Sequence, residues 1–302
     1  MDQASRLRMI MGDQKRDFLS GGALPRDVMD SAAPQGPVRV ISVTSGKGGV
    51  GKTNVVGNLA YAMSRMGRRV LILDADLGLA NMDVLLGVNP RYTIQHVLSG
   101  EKNLEEVILR TPSGFSLLPA ASGIQELTEL DHSQRLLLLN EFEDFEDSFD
   151  VFLIDTGAGI SSNVMYFNFA AMEKIVVVTN EPASLTDAYA LIKILTKKYR
   201  QKRYRILVNA ARSAGEAERI YRHLSRVVDR YLSSPSLDYL GWVPYDEHVP
   251  KAVRRQQTVS ELYPDSRVSR SFAEIAERML ESEDAFDFEG DIKFFWRRLL
   301  RF

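Results

Sequence analysis

The chain has 302 residues, 45% of them hydrophobic, and a formal net charge of −2. That is apolar material for one large α/β core with length left for appendages, and near-neutrality provides no general attraction to nucleic acid. The absence of cysteine excludes disulfides, cysteine-ligated zinc and cysteine-ligated iron–sulfur clusters, and the four histidines fall at no metal-ligand spacing.

Residues 1–12 read Met-Asp-Gln-Ala-Ser-Arg-Leu-Arg-Met-Ile-Met-Gly. Asp2, Arg6, Arg8, Asp13, Lys15, Arg16 and Asp17 interrupt any apolar core of a secretory signal. No stretch reaches the roughly 18 uncharged apolar residues that a membrane span needs, so the cytoplasm is the expected location. Ala4, Leu7 and Met11 lie at helical spacing, in a segment too short to hold a helix alone. Residues 13–37 carry Gly21-Gly22 and three prolines, Pro25, Pro34 and Pro37, the composition of a tether.

From Val38 to Val43 the chain is β-branched and apolar, a buried-strand pattern. Gly46 to Thr53 then fits G-x-x-x-x-G-K-[ST], with a helical pattern (Asn58, Leu59, Tyr61, Ala62) following. Strand, loop and helix in that order are the context of a phosphate-binding loop. Gly46, Gly48, Gly49 and Gly51 let the backbone, Val50 included, curl with its N–H groups inward toward an anion. Lys52 reaches the β- and γ-phosphates of a nucleoside triphosphate, and the Thr53 hydroxyl suits Mg²⁺. A second lysine, Lys47, follows the first glycine.

Arg69–Asp74 is the next strand, ending in Asp74-Ala-Asp76-Leu-Gly-Leu-Ala-Asn81-Met-Asp83. Acidic residues at the carboxyl end of a parallel strand face the ligand crevice; helix capping is their alternative use. Residues 94–130 suggest short helices and a strand at Phe115–Pro119, and residues 135–150 a helix with a dense acidic face. Val151-Phe-Leu-Ile-Asp155-Thr-Gly157-Ala-Gly159 reads as a Walker B strand. There Asp155 holds Mg²⁺ through water, and Gly157 admits the γ-phosphate to the backbone. Lys174–Asn180 is another buried strand, with Glu181 opening a helix, and Tyr204–Asn209 another. The six basic residues between Lys197 and Arg205 read as a solvated patch.

The chain closes on six acids between Glu281 and Asp291, then Ile292-Lys-Phe-Phe-Trp-Arg-Arg-Leu-Leu-Arg-Phe302. Ile292, Phe295, Trp296, Leu299 and Leu300 recur at i, i+3, i+4, i+7 and i+8 opposite Lys293, Arg297 and Arg301. A basic amphipathic helix of this kind reads as an interfacial anchor for an anionic membrane surface; a helix docked on its parent domain is the alternative.

The run Lys-Gly-Gly-Val-Gly-Lys-Thr, the D-x-D-x-G-L-x-N-x-D pattern from Asp74 to Asp83, and Asp155-Thr-Gly-Ala-Gly-Ile160 together resemble the MinD/ParA deviant-Walker ATPases from about residue 38 to 280. The resemblance implies a single α/β P-loop NTPase domain (38–281) with a mostly parallel sheet flanked by helices. A flexible N-terminal segment (1–37) precedes it, and an acidic tether with an amphipathic helix (282–302) follows. It implies ATP and Mg²⁺ as ligands. It implies that Lys47 crosses to the phosphates of a partner in an ATP-bound homodimer, that Asp76 orients the attacking water with Lys52 as the second catalytic cation, and that Asp74 supports Mg²⁺ and loop geometry. Asn209 is implied as the base reader, since an amide offers adenine a donor and an acceptor, with Pro244, Tyr245 and Asp246, in the loop that Val243 opens after the last strand, as a second base contact. Glu181 is implied to meet the partner's nucleotide.

Asp2-Gln3-Ala4 with Leu7-Arg8 is similar to the opening element of the FlhG (FleN/YlxH) flagellar regulators. There the element stimulates an FlhF-type GTPase, with the glutamine, here Gln3, as key residue. The resemblance extends to flagellar basal-body (C-ring) components as partners. Cell-division or segregation ATPases, and a sequestering regulator of a transcription activator, are the alternatives.

Overall fold

The computed structural model describes residues 38–76, 81–119, 137, 140–142, 148–232, 235–281 and 292–300. Asp2, Gln3, Ala4, Leu7 and Arg8 lie outside the described residues, as do the acidic stretches 143–147 and 282–291.

The β-branched runs form strands β1 (Arg39–Ser45), β2 (Val70–Ala75), β4 (Ser116–Pro119), β5 (Val151–Ala158), β6 (Glu173–Val178) and β7 (Arg203–Ala211). Two further strands, β3 (Leu109–Arg110) and β8 (Ser236–Pro244), join them in the order β3-β4-β2-β5-β1-β6-β7-β8. Every pairing is parallel except β3 with β4. The sequence reading carries no strand at Ser236–Pro244 and places Val243 and Pro244 in a loop. In the structure both belong to β8, an edge strand, with Pro244 at its end where no ladder bond is lost.

The central strands are buried on both faces, as a parallel sheet covered by helices requires. Ile41, Val43, Ile72 and Leu153 point to one side, where α1 (Lys52–Arg65) and α10 (Arg267–Glu281) cover them with Leu59, Met63, Phe272 and Met279. Val40, Leu71, Leu73, Phe152 and Ile154 point to the other. Further along that second face, α5 (Ser162–Ala170), α6 (Pro182–Tyr199) and α7 (Ala214–Leu232) close over β6 and β7. The short helices α2 (Met82–Leu86), α3 (Ile94–Leu98) and α4 (Leu104–Val107) follow β2, and α8 (His248–Arg254) and α9 (Val259–Leu262) follow β8.

At the amino ends of the strands Glu173 sits between two guanidinium groups. Arg39 Nη2 is 2.6 Å from Glu173 Oε1 and Arg205 Nη1 is 3.1 Å from Oε2. The basic run is therefore not all surface: Arg205 turns inward, while Lys197, Lys198, Arg200, Lys202 and Arg203 are exposed.

The last helix, α11 (Ile292–Leu300), corrects one expectation. Its apolar face does not stand apart from the domain. Phe295 and Trp296 are fully buried and Leu299 nearly so, in the same core as Val40, Leu73 and Phe152. Phe295 meets Phe152 edge-on at 5.6 Å, and the Arg298 guanidinium lies 4.2 Å from the Phe169 ring centroid. The hydrophobic effect is indifferent to which apolar surface removes these rings from water, and the second sheet face supplies one. The side chains of Ile292 and Leu300 lie outside the described residues.

Candidate functional site: a nucleotide pocket at the centre of the sheet

β1 is the middle of the sheet, with β5 on one side and β6 on the other. The chain reverses its direction of travel across the sheet here, the position at which α/β folds open a crevice at the carboxyl ends of their strands. The loop 46–51 leaves β1 into that crevice. Gly49 and Gly51 hold φ of +77° and +88°, left-handed values that disfavour any side chain. Gly46 is required for a different reason: a Cβ there would lie 2.1 Å from the backbone carbon of Asp187 on α6. The Ser45 hydroxyl donates to the Lys47 carbonyl at 2.7 Å and steadies the turn. α1 starts directly behind, capped by Gly51 with no side chain on its first-turn N–H groups, which leaves these donors to an anion.

Lys52 is buried at the head of α1. Burial lowers its pKa, while Asp155 and Asp76 act the other way and favour the ammonium. Asp155 is fully buried within β5, three residues before its end. Burial pushes its carboxyl up to about 6 against a hydrogen bond from Thr53 and the charge of Lys52. Its Oδ1 is buried with no hydrogen-bond partner among the described residues. A hard divalent cation fits this donor set, a hydroxyl and an orphaned carboxylate oxygen beside a phosphate cradle.

Asp74, expected to support both metal and loop, has its two oxygens on the loop: Oδ1 accepts the Asp76 N–H at 3.3 Å and Oδ2 the Met82 N–H at 3.1 Å. Burial, then Asp155, push it up to about 7. Asp76 is partly exposed at the crevice. A Cβ on Gly157 would come within 3.4 Å of Asp76 Oδ1, so Gly157 gives the two loops room to meet. Asp74, Asp76 and Asp155 thus converge with Lys52 and Thr53 from three parts of the sequence.

On the far side of the cradle, Asn209 at the end of β7 donates from Nδ2 to the Val50 carbonyl at 2.7 Å and accepts the Ala210 N–H on Oδ1 at 2.9 Å. Its amide holds the phosphate loop, and a Cβ on Gly51 would strike it at 2.5 Å. Ala210 adopts a left-handed φ of 55°. The Tyr245 N–H donates to the Ala211 carbonyl at 2.9 Å, which brings the 244–246 segment alongside Asn209, with the Tyr245 ring well exposed. Asp246 is engaged by His248, through the backbone N–H at 2.9 Å and Nδ1 at 2.7 Å.

A family described as AAA domain matches residues 38–208. The antiactivator FleN of Pseudomonas aeruginosa is 46% identical over 265 residues, covering 88% of this chain and 94% of that protein. The flagellum site-determining protein YlxH of Helicobacter pylori is 32% identical over 304 residues, covering 100% of this chain and 99% of that protein. The chain belongs to the FleN/YlxH branch of the MinD/ParA ATPases.

Solved structures agree on the fold. The MinD of the MinC:MinD cell division complex from Aquifex aeolicus matches with a TM-score of 0.65 and 25% identity, over 84% of this chain and 99% of that one. The Pyrococcus horikoshii MinD, solved with Mg-ADP, matches with a TM-score of 0.62 and 26% identity, over 83% of this chain and all of the other. As a MinD/ParA-type P-loop ATPase, the protein is an ATP hydrolase.

Two arrangements in this ATPase were not legible in its motifs. Lys47 forms an ion pair with Glu181, the cap residue of α6, within the same chain. Glu216 on α7 binds both Asn180 and the backbone of Arg212. A lone glutamate in an amphipathic helix gives no sequence signal, because its partners are 36 residues away or on the backbone.

Proposed function

We propose that this protein is an ATP-switched, membrane-associating regulator of flagellar number and placement, active as an ATP-bound homodimer, whose N-terminal residues act on an FlhF-type GTPase. The observation that carries the reading is Lys47: a cation on the phosphate loop, about one-third exposed and paired with the still more exposed Glu181, is suited to exchange that carboxylate for phosphates offered across an interface. In that dimer each Lys47 stabilises charge in the opposite site. Lys52 and the α1 amides hold the phosphates, Asp76 orients the water, and Asp155 with Thr53 holds Mg²⁺. The metal, when bound, neutralises charge developing on the phosphate oxygens.

Membrane association is assigned to α11. Its covered face keeps the composition of an interfacial helix, and Trp296 Nε1 is buried without a hydrogen-bond partner among the described residues, a defect that a lipid interface would repair. One such helix binds weakly; two on one dimer bind far more tightly because the second contact is intramolecular. ATP thus sets location, and Gln3 with Asp2, Ala4, Leu7 and Arg8 sets the fate of the partner GTPase. The relative at 46% identity carries the name antiactivator, which favours a second reading: sequestration of a transcription activator.

The test is GTP hydrolysis by an FlhF-type partner with and without the full chain, alongside Gln3→Ala. Stimulation that is lost in Gln3→Ala is expected. Equal rates with and without the chain would remove the GTPase-activating role. Regulation of an activator that survives Lys52→Ala would favour the antiactivator reading.

A further inference from the structure

Glu216 lies outside every motif of the site, yet it ties two of the site's loops together. It is the third residue of α7. Its Oε1 accepts the Asn180 side-chain N–H at 2.5 Å, and its Oε2 accepts the Arg212 backbone N–H at 2.5 Å. Its own N–H donates to the Ser213 hydroxyl at 3.2 Å, which fixes the first turn of the helix beneath it.

Each partner opens onto a different part of the crevice. Asn180 immediately precedes Glu181, the residue that holds Lys47. Arg212 follows Ala211, whose carbonyl binds Tyr245, and stands three residues beyond Asn209, the group on the Val50 carbonyl. The β7–α7 turn on the base side and the β6–α6 corner that holds Lys47 are therefore connected by one half-buried carboxylate.

We propose that Glu216 is a positioning residue that couples the base-binding turn to the Lys47 corner, so that the base of the nucleotide, and not its phosphates alone, governs the release of Lys47. The inference rests on the readings in which Asn209 meets the base and Lys47 crosses an ATP-bound dimer. The chemistry of the residue is specific. Both of its partners are N–H donors, and the carboxylate gives each an oxygen of its own. Glutamine is isosteric, but it has one oxygen for two donors, and even with the Asn180 amide turned over to accept it loses the charge that strengthens both bonds. Because both bonds are charge-assisted and rigid, a shift of the turn is passed to the corner rather than absorbed.

The experiment compares ATP with inorganic tripolyphosphate on the full-length protein. Affinities are measured by calorimetry, and the ATP concentration for half-maximal dimerisation by sedimentation, for the wild type, Glu216→Gln, Asn180→Ala and the double variant. The expected result is a roughly tenfold loss of ATP affinity in Glu216→Gln, within the range usual for coupling between sites. Tripolyphosphate affinity stays within about twofold, since a phosphate-only ligand does not use the link. The dimerisation midpoint moves by the same factor in Glu216→Gln and in Asn180→Ala, and the double variant moves no further. Equal weakening of both ligands, no change in either, or additive shifts in the double variant would each overturn the proposal. Lys47→Ala separates the two levels. If it still dimerises with ATP like the wild type, the crossing-lysine reading fails, while the ATP-to-tripolyphosphate ratio in Glu216→Gln still decides whether Glu216 serves the base side.

Discussion

The indole of Trp296 lies stacked on the ring of Phe142, with 4.1 Å between ring centroids and 24° between ring planes. This pair fastens the C-terminal helix to the domain. The contact joins opposing effects. An aromatic pair adds about 0.5–1.5 kcal/mol beyond its buried area. An indole N–H left without a partner costs about 1–3 kcal/mol. Docking of α11 therefore depends mainly on the apolar area it covers, which a competing apolar surface can replace.

Phe142→Ala removes the stacking partner and leaves α11 itself unchanged. Deleting a buried phenylalanine costs about 3–5 kcal/mol when the gap cannot close, and here the helix can lift instead. Amide hydrogen exchange in 292–300 is expected to accelerate by at least tenfold. Under the proposed function, binding to anionic vesicles without nucleotide should also rise. Wild-type exchange rates in 292–300 would show that Phe142 does not hold the helix.

Asp76→Asn keeps the size of the side chain and removes its ability to orient and polarise water. Turnover is expected to fall about 10²–10⁴-fold. ATP affinity should stay within a few-fold, because Lys52 and the α1 amides are untouched. Single-turnover hydrolysis and equilibrium binding, measured separately, check this; an equal loss in both would place Asp76 in binding rather than in chemistry.

Two glycines of one loop should respond differently to alanine. Gly46→Ala places a methyl group 2.1 Å from the Asp187 backbone, which neither the loop nor α6 can clear without moving. Nucleotide binding should be abolished and the protein destabilised by several kcal/mol, as for severe overpacking. Gly49→Ala meets nothing within 4 Å and bears only the strain of φ +77°, about 1–2 kcal/mol. It should fold and bind ATP with modest loss. Comparable behaviour of the two variants in thermal melts and ATP titrations would contradict the close packing of Gly46 on α6.

Lys174 supplies a pH dependence. Burial, helped by the nearby Arg298 on α11 and opposed by Glu173, pushes its ammonium down to about 7 from an ordinary 10.5. Between those values the unfolded chain binds the extra proton, so this group makes stability rise with pH across that window. Below pH 7 both states are protonated and the burial penalty is constant. Lys174→Met removes the penalty, and its stability relative to wild type, followed by urea unfolding, should decline as pH rises from 7 to 10. A difference independent of pH would mean that Lys174 stays charged in the folded protein.

Much of the site was legible because its chemistry is local. The loop from Gly46 to Thr53 is read by counting, since its glycines, Lys52 and Thr53 serve one anion from one turn. The positions of Asp76 and Asp155 were legible because Asp155 closes an apolar run and Asp76 stands just beyond another, and the carboxyl end of a buried parallel strand has one place to face. Strand β8 was harder. Ser236-Leu-Asp-Tyr-Leu-Gly-Trp-Val-Pro carries Asp238 and Gly241 in its middle, which an edge strand tolerates and a sequence pattern penalises.

The sequence by itself determined the enzyme: a strand, a glycine loop with two lysines, and two acidic strand ends specify a MinD/ParA-type ATP hydrolase, because phosphate chemistry needs those groups at short, fixed spacings. Only the tertiary structure decided the partners of side chains far apart in the chain. It paired Lys47 with Glu181 across 134 positions and Asn180 with Glu216 across 36, and it folded the amphipathic α11 face onto Phe142 and Phe152. The physical reason is the same in each case. An amphipathic helix or a surface carboxylate states what kind of surface it needs, not which one, and packing makes that choice among all the surfaces within reach.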